Sequence, residues 1–196
     1  MKIIPPTAFS TIPWKNGQGQ TVELAINPGG GLLDFDWRLS MAAVVEDGVF
    51  SDFSGYQRHL VLIEGEGLTL KHENGADLVT ALVSSDELTE LLSVATFDGG
   101  CKTTGLLKAG AITDFNVITK ASKYQVTVQT FVQANTVTLT PCHLCFVYAL
   151  KQEAVLLDGE HKQPLPGGHL LMLDETDTNN IKVSGQQLIV VSLSLL

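Results

Sequence analysis

Short apolar segments separated by turn residues recur along the whole chain and predict a protein made almost entirely of β-strands. Residues 21–26 and 37–42 alternate apolar and polar side chains, and residues 60–63 form a continuous apolar run. An alternation of period two is typical of a half-buried strand. Triplets such as Asp98-Gly99-Gly100 and Pro166-Gly167-Gly168 separate such segments and favour turns. Many short strands with this spacing indicate an all-β barrel or sandwich.

The second half of the chain contains further strand candidates and repeats the plan of the first half. These candidates cover residues 124–132, 136–139, 144–150, 169–173 and 188–195. The runs LVLIEGEGLTL and FVYALKQEAVLL each place an apolar strand before a turn and a second strand. The repetition predicts two similar barrels, the first over residues 1–120 and the second over residues 121–196.

One segment has the signals of a helix. Ser84 precedes Glu87 by the spacing of an N-terminal capping box. We therefore predict a helix of about two turns over residues 84–92 and little helix elsewhere.

Composition and charge argue against several classes of protein. The 196 residues are 44% hydrophobic and 17% charged, which is typical of a globular protein with a sizeable core. The net charge of −9 argues against a nucleic-acid or anionic-membrane surface. No run approaches the roughly 20 apolar residues that cross a bilayer, and the first residues lack a signal-peptide pattern. An odd number of cysteines, three, argues against a disulfide framework, so we predict a cytoplasmic protein.

A mixture of polar groups near the start of the chain predicts a pocket for a small molecule. Residues 14–23 read WKNGQGQTVE, and neither a packed core nor an ordinary loop favours that combination. Arg38 and Ser40 share one face of the next predicted strand, and both strands could face one barrel mouth. Because a guanidinium binds a carboxylate through two parallel hydrogen bonds, we expect a small acidic metabolite. The candidate ligand-binding residues are Trp14, Lys15, Asn16, Gly17, Thr21, Glu23, Arg38, Ser40, Asp114 and Asn116.

Several of these candidates also have a purely structural interpretation. Glu23 and Arg38 could form a salt bridge that only organises the barrel, although such pairs are costly to bury. Trp14 could pack at the rim or stack on a ligand. Asp114 and Asn116 share a face and could bind a ligand or brace a loop. If the site is catalytic, Glu23 is the candidate general base, but a carboxylate held by a guanidinium is a poor base.

Other conspicuous side chains are assigned to the surface or to the core. Arg58 is predicted to pair with Asp52 at the surface, in a contact of little energetic value. The residues predicted to lie in the core are Trp37, Met41, Phe50, Phe53 and Phe115.

Cys142 and Cys145, with His143 between them, are candidate ligands for a metal ion. A structural zinc site needs a fourth ligand and usually a second pair of this kind. On a strand, an odd separation places the two cysteines on opposite faces. We therefore predict buried thiols and no metal site.

Five stretches of the sequence, taken in order, resemble the HutD/Ves family. They are WKNGQGQTVEL, FDWRLSMA, GVFSDFSGYQRHLVLIEGEG, FDGG at residues 97–100 and DFNVIT at residues 114–119. The specific similarity covers residues 12–120 and continues to the end as a general pattern of strands and turns. The resemblance implies a cupin-like double-stranded β-helix with two similar barrels, a bicupin.

Cupins usually hold a metal through a His-x-His pair, and this pair is missing from the chain. Residues 51–58 contain no histidine, and His59 stands alone. His161 and His169 are eight residues apart, which is not the spacing of ligands on a shared face. We expect neither a metal nor another cofactor.

The resemblance also bears on function. Family members are associated with bacterial histidine utilisation or with stress-related expression, and no well-established catalytic activity comes with the name. The resemblance implies a regulatory protein that binds an acidic intermediate such as a formylglutamate-like compound. Two alternatives stay open: an interaction module, and a cupin-type enzyme that is a metal-independent isomerase or hydrolase or has an unrecognised metal site. Catalysis is the less favoured interpretation, and open barrel edges would allow a homodimer.

Overall fold

The computed structural model describes residues 1–14, 19–32, 34–74, 82–175, 177 and 180–196. The elements, in chain order, are β1 (Lys2–Ile4), a 3-10 helix (Pro6–Ala8), β2 (Ser10–Pro13), β3 (Gln20–Ile26), β4 (Trp37–Val44), β5 (Gly48–Val49), β6 (Tyr56–Glu64), β7 (Leu68–Asn74), β8 (Leu82–Leu88), β9 (Val94–Asp98), β10 (Lys102–Leu107), β11 (Ile112–Lys120), β12 (Tyr124–Phe131), β13 (Asn135–Thr138), β14 (Leu144–Ala149), β15 (Ala154–Asp158), β16 (His161–Leu165), β17 (Leu170–Asp174), β18 (Lys182–Gly185) and β19 (Leu188–Leu195). The prediction of an all-β protein with little helix is confirmed.

The strands form two compact units, each with two sheets. The first unit comprises residues 10–122, and the second unit comprises residues 1–9 and 123–196. The sheets of the first unit have the strand orders β2-β3-β4-β11-β6-β9 and β5-β10-β7-β8. Those of the second unit have the orders β1-β17-β14-β19-β12 and β13-β18-β15-β16.

The first strand of the chain pairs with a strand from its last third. Ile3 of β1 lies opposite Leu171 of β17 in an antiparallel pair. Ile3 also packs against the hydrophobic core of the second unit, which includes Leu171 and Val190. The N-terminal segment therefore completes a sheet whose other strands all follow residue 123.

The first unit has a hydrophobic core enclosed by its two sheets. The core residues are Val44, Leu60, Leu62, Leu68, Leu70, Leu88, Ala95, Phe97 and Ile112. Because side chains alternate along a strand, Leu60 and Leu62 share a face of β6 with Arg58. An apolar core and a polar region therefore follow one another along the same inner face.

The predicted helix over residues 84–92 is wrong, because this segment contributes most of strand β8. Leu88 pairs with Leu68 of β7, and Ser84 pairs with His72. A helix of about two turns has too few hydrogen bonds to offset its nucleation cost. Pairing with β7 satisfies the same backbone and buries Leu88 in the core.

The turn between β6 and β7 depends on glycine. Gly65 and Gly67 have φ angles of +100° and +107°, which residues with a Cβ rarely adopt. A Cβ on Gly67 would also lie 2.3 Å from the carbonyl oxygen of Leu88. The tight connection therefore requires glycine for its backbone conformation and for the close approach of β8.

We expect Gly67→Ala to destabilise the protein by about 3 kcal/mol or more, because it adds a backbone clash to an unfavourable φ. Gly110→Ala is the matched control, since Gly110 has a φ of +71° but a Cβ added there would meet nothing within 4 Å. This control should cost only about 1–2 kcal/mol. Urea denaturation of both variants measures the difference, and equal losses would contradict the assigned role of the clash.

Candidate functional site

The first unit contains a cavity of about 590 Å³. This volume is within the range of small-molecule sites, roughly 300–1,000 Å³. Its polar lining includes Thr21, Arg38, Ser40, Arg58, Asp114 and Asn116. These residues come from strands β3, β4, β6 and β11, which belong to one sheet.

The register of three neighbouring strands places two guanidiniums at this cavity. Ile118 of β11 pairs with Arg38 of β4 on one side and with Arg58 of β6 on the other. Two strand spacings put the backbones of the two arginines about 10 Å apart on one sheet face. These are the only two arginines in the sequence, and both line the cavity.

The next positions along the same strands supply the other polar groups. Asn116 pairs with Ser40, and Asp114 pairs with Ala42. Thr21 of β3 lies on the far side of Ala42. Because directly paired residues share a face, these side chains lie on the same sheet face as the two arginines.

Arg38 forms the salt bridge with Glu23 that the sequence suggested, and it also lines the cavity. Arg38 Nε lies 2.7 Å from Glu23 Oε2, with side chains 8% and 17% exposed respectively. An irregularity in the β3–β4 register between Glu23 and Ala25 accompanies this pairing. Arg38 therefore forms the salt bridge and lines the cavity, while Glu23 lies outside the cavity lining.

The predicted surface pair of Arg58 and Asp52 is wrong, because Arg58 is buried. Its Nη2 donates to Asn116 Oδ1 at 2.9 Å, and its Nη1 donates to the Ser51 carbonyl at 3.4 Å. Asp52 instead accepts hydrogen bonds from the backbone N–H and the hydroxyl of Ser54. The sequence did contain a signal for this placement: Arg58 has the same strand parity as the core leucines of β6.

Three aromatic rings surround the guanidinium of Arg58. Its central carbon lies 5.3, 5.4 and 5.1 Å from the ring centres of Phe50, Phe53 and Phe97. Such contacts are attractive because the faces of the rings carry partial negative charge. Phe50 and Phe53 were predicted as core residues, but they are half-buried and line the cavity.

Two buried polar atoms at the cavity lack a hydrogen-bond partner within the protein. They are Arg58 Nε and Asp114 Oδ2, whereas Asp114 Oδ1 accepts a hydrogen bond from the side chain of Asn116. A donor and an acceptor left in this state are costly, and each needs a complementary group from another molecule. The cavity therefore offers one unmet donor and one unmet acceptor.

Burial shifts the ionisation of both groups. Desolvation lowers the pKa of Arg58 to about 10, although the nearby charge of Asp114 opposes this change. Desolvation raises the pKa of Asp114 to about 7, against the opposing effects of Arg58, of the hydrogen bond from Asn116 and of the backbone of Ala42. The carboxyl of Asp114 therefore exchanges its proton near neutral pH, while Arg58 stays charged.

Trp14 forms part of the cavity wall and is fixed by a polar contact. Its indole N–H donates to the Thr21 hydroxyl at 2.9 Å. Gly19 lies against the ring, since a Cβ at that position would be 2.9 Å from it. The other candidates of this segment, Lys15, Asn16 and Gly17, lie outside the described residues.

The cysteine and histidine candidates are not arranged as metal ligands. Among the residues that the structure describes, no three His, Cys, Asp or Glu side chains converge to hold an ion. His59 is buried with its Nδ1 2.9 Å from the Thr96 hydroxyl, and burial lowers its pKa to about 4. The predicted opposite orientation of Cys142 and Cys145 is wrong. Cys142 precedes β14, and both side chains lie at the hydrophobic core of the second unit. The Cys142 thiol donates to the Leu144 carbonyl at 3.2 Å.

No helix in the described part of the chain has the length and apolarity needed to cross a membrane.

Comparison with known proteins identifies relatives of this architecture. The model of the HutD family matches residues 7–191. A Pseudomonas putida protein described as an uncharacterized 21.2 kDa protein in the hutC 3′ region is 35% identical over 133 residues, which are 67% of this chain and 64% of that protein. Protein Ves of Citrobacter koseri is 34% identical over 45% of this chain and 54% of its own length. The chain thus spans between half and two thirds of these relatives.

Solved structures show the same fold. HutD from Pseudomonas fluorescens, in a formate condition, has a TM-score of 0.80 and 25% identity, covering 100% of this chain and 98% of that one. Oxalate decarboxylase from Lactobacillus farciminis, as a formate complex, has a TM-score of 0.65 at 7% identity, covering 98% of this chain and 85% of that one. The predicted cupin-like, two-barrel fold class is confirmed, and the second likeness concerns the fold alone.

The raised pKa of Asp114 predicts a pH-dependent stability. The folded protein binds this proton more tightly than the unfolded chain does, where the pKa is near 3.8. The stabilising contribution is therefore complete below about pH 4 and lost as the pH rises through about 7. Relative to Asp114→Asn, the free energy of unfolding of the unmodified protein should fall by up to about 1.4 kcal/mol per pH unit in this window.

Urea denaturation at several pH values measures this slope. Asp52→Asn is the control, because it removes an exposed carboxylate from the same unit. Parallel stability curves for the unmodified protein and Asp114→Asn would contradict the assignment.

Proposed function

The chain belongs to the HutD family, and on this basis we propose that it binds a small acidic metabolite in the cavity of its first unit. One observation carries the proposal: both arginines of the sequence are buried at this cavity. Arginine is the side chain best suited to a carboxylate, because its planar donors match two oxygens at once. In a chain with a net charge of −9, both guanidiniums therefore lie at the same cavity.

The unmet hydrogen-bond groups narrow the class of ligand. Arg58 Nε needs an acceptor, which a carboxylate supplies, and Asp114 Oδ2 needs a donor when it is ionised. An N-acyl amino acid provides both, since it carries a carboxylate and one amide N–H. A formylglutamate-like compound is a member of this class.

The apolar part of the cavity suits the carbon skeleton of such an acid. Trp14, Phe50, Phe53 and Ile118 line it beside the polar groups. Leu32, Val45 and Val49 also line it, although each of these side chains is more than half exposed. Exposed aliphatic side chains around an opening are typical of a surface that a ligand covers.

We place this binding in the regulation of histidine utilisation. One name supports this setting, that of the Pseudomonas putida relative, which refers to the hutC 3′ region. In this role the protein responds to an acidic intermediate of the pathway instead of converting it.

A second candidate function is proton-transfer catalysis, and the ionisation of Asp114 favours it. A buried carboxyl with a pKa near 7 beside a cavity has the property of a general acid or base. Asp114 would take this role in place of Glu23, which is engaged by Arg38. Proton NMR distinguishes the two functions. An acid that stabilises the protein is incubated with it, and the spectra show whether the acid is converted. Conversion by the unmodified protein but not by Asp114→Asn would indicate catalysis.

We expect N-formylglutamate to raise the melting temperature of the protein in a concentration-dependent way. Glutarate, which has two carboxylates but no amide, should have a weaker effect. In Arg38→Gln the affinity should fall by roughly 30-fold or more, corresponding to about 2 kcal/mol for a lost buried charge contact. Differential scanning fluorimetry measures the melting temperatures, and isothermal titration calorimetry measures the affinities.

Two control variants separate the loss of a ligand contact from the loss of a salt bridge. Glu23→Gln breaks the same salt bridge but leaves Arg38 available, so it should keep the ligand response. Lys120→Gln removes an exposed cation that pairs with Asp34 and Asp36, and it should leave the response unchanged. A full response in Arg38→Gln, or no response of the unmodified protein to any of the acids, would refute the proposed site.

A further inference from the structure

Three buried polar side chains of the cavity are joined by a directional chain of hydrogen bonds. Arg58 Nη2 donates to Asn116 Oδ1 at 2.9 Å, and Asn116 Nδ2 donates to Asp114 Oδ1. Arg58, Asn116 and Asp114 are 4%, 4% and 0% exposed. Because a guanidinium can only donate, the amide of Asn116 must present its oxygen to Arg58 and its nitrogen to Asp114. The direction of the chain is therefore fixed.

This direction assigns a separate role to each oxygen of the Asp114 carboxyl. Oδ1 accepts from Asn116 whether the carboxyl is ionised or protonated. A proton on the carboxyl therefore resides on Oδ2, which has no hydrogen-bond partner within the protein. A protonated oxygen of this kind donates, whereas an ionised one only accepts. Oδ2 thus changes from donor to acceptor when the proton leaves, while the rest of the chain stays as it is.

The second unpartnered atom of the cavity, Arg58 Nε, donates in both states. With protonated Asp114, the cavity offers two donors, which suit the oxygens of a carboxylate. With ionised Asp114, it offers one donor and one acceptor, and the negative charge disfavours an additional carboxylate beside it. This second state suits an acid that also carries an N–H group.

We propose that Asp114 determines the specificity of the cavity by exchanging this proton: the protonated residue selects dicarboxylates without an N–H, and the ionised residue selects N-acyl amino acids. This inference rests on the proposed binding of an acidic metabolite in the cavity. The proton comes from solvent or returns to it, and no covalent bond of the ligand changes. Each ligand shifts the carboxyl toward the form that it prefers, so a dicarboxylate takes up a proton on binding and an N-acyl amino acid releases one.

The surroundings of Asp114 support an exchange near neutral pH, since burial raises its pKa to about 7. Within the described part of the chain, the charged side chains that line the cavity with Asp114, or pair with those that do, are Arg38, Arg58, Glu23, Glu46 and Asp47. Glu46 and Asp47 are exposed, so water and salt screen their charges. Asp114 is therefore the buried carboxyl of this wall.

The test measures the affinities of N-formylglutamate and glutarate by isothermal titration calorimetry at pH 6 and pH 8. The preference for N-formylglutamate should hold at pH 8 and fall by roughly tenfold or more at pH 6, because the ionised fraction of Asp114 changes about tenfold. Asp114→Asn mimics the protonated residue, since Asn116 donates to its oxygen and leaves its NH₂ group facing the cavity. This variant should bind glutarate at both pH values, with an affinity ratio that does not depend on pH.

Glu46→Gln is the matched control, because it removes another carboxylate of the cavity wall, and it should keep the pH dependence. Binding of both acids at a constant ratio would overturn this inference alone, whereas binding of neither acid at either pH would refute the proposed function as well. A pH-dependent ratio that persists in Asp114→Asn, or that Glu46→Gln abolishes, would also overturn the assignment to Asp114.

Proton linkage in the unmodified protein covers the case in which Asp114→Asn does not fold. Calorimetric titrations at pH 7 in buffers of different ionisation enthalpy count the protons exchanged on binding. We expect glutarate to take up about half a proton and N-formylglutamate to release about half a proton, because Asp114 is close to half protonated at this pH. Exchange of the same sign with both acids, or no exchange with either, would overturn the inference without any variant.

Discussion

The burial of Arg58 on an inner strand face is the constraint on which the candidate site depends. A guanidinium removed from water needs partners for its donors and its charge. Asn116, Asp114 and three phenylalanine rings supply them, while Nε stays unpaired. The incomplete satisfaction of a buried charge is what separates this arrangement from a structural ion pair and makes it suitable for an acid.

The same strand face carries two kinds of environment. In the apolar part of this face, Leu60 and Leu62 pack in the core of the first unit. At the cavity, Arg58 and Asn116 provide polar groups. The core therefore gives the rigid sheet that holds the polar groups in place.

Much of the fold was predictable from alternation and turn residues, and the exceptions have local physical reasons. Strands such as β3 and β4 have clear periodicity, whereas the segment that forms β8 has capping residues and little alternation. Among the site residues, Arg38 and Asn116 were predicted from their strand positions. Arg58 was missed, because its signal in the sequence was the strand parity that it shares with Leu60 and Leu62, and only the packing showed that this face is buried.

The sequence by itself determined the all-β class, the turns, the family and the residue types available at the cavity, because these depend on local periodicity and motif. Only the tertiary structure decided that Ile118 stands between two arginines and that β1 pairs with β17. The reason is physical: strand register and the bends between strands are set by packing among segments far apart in the chain, and no local pattern encodes those distances.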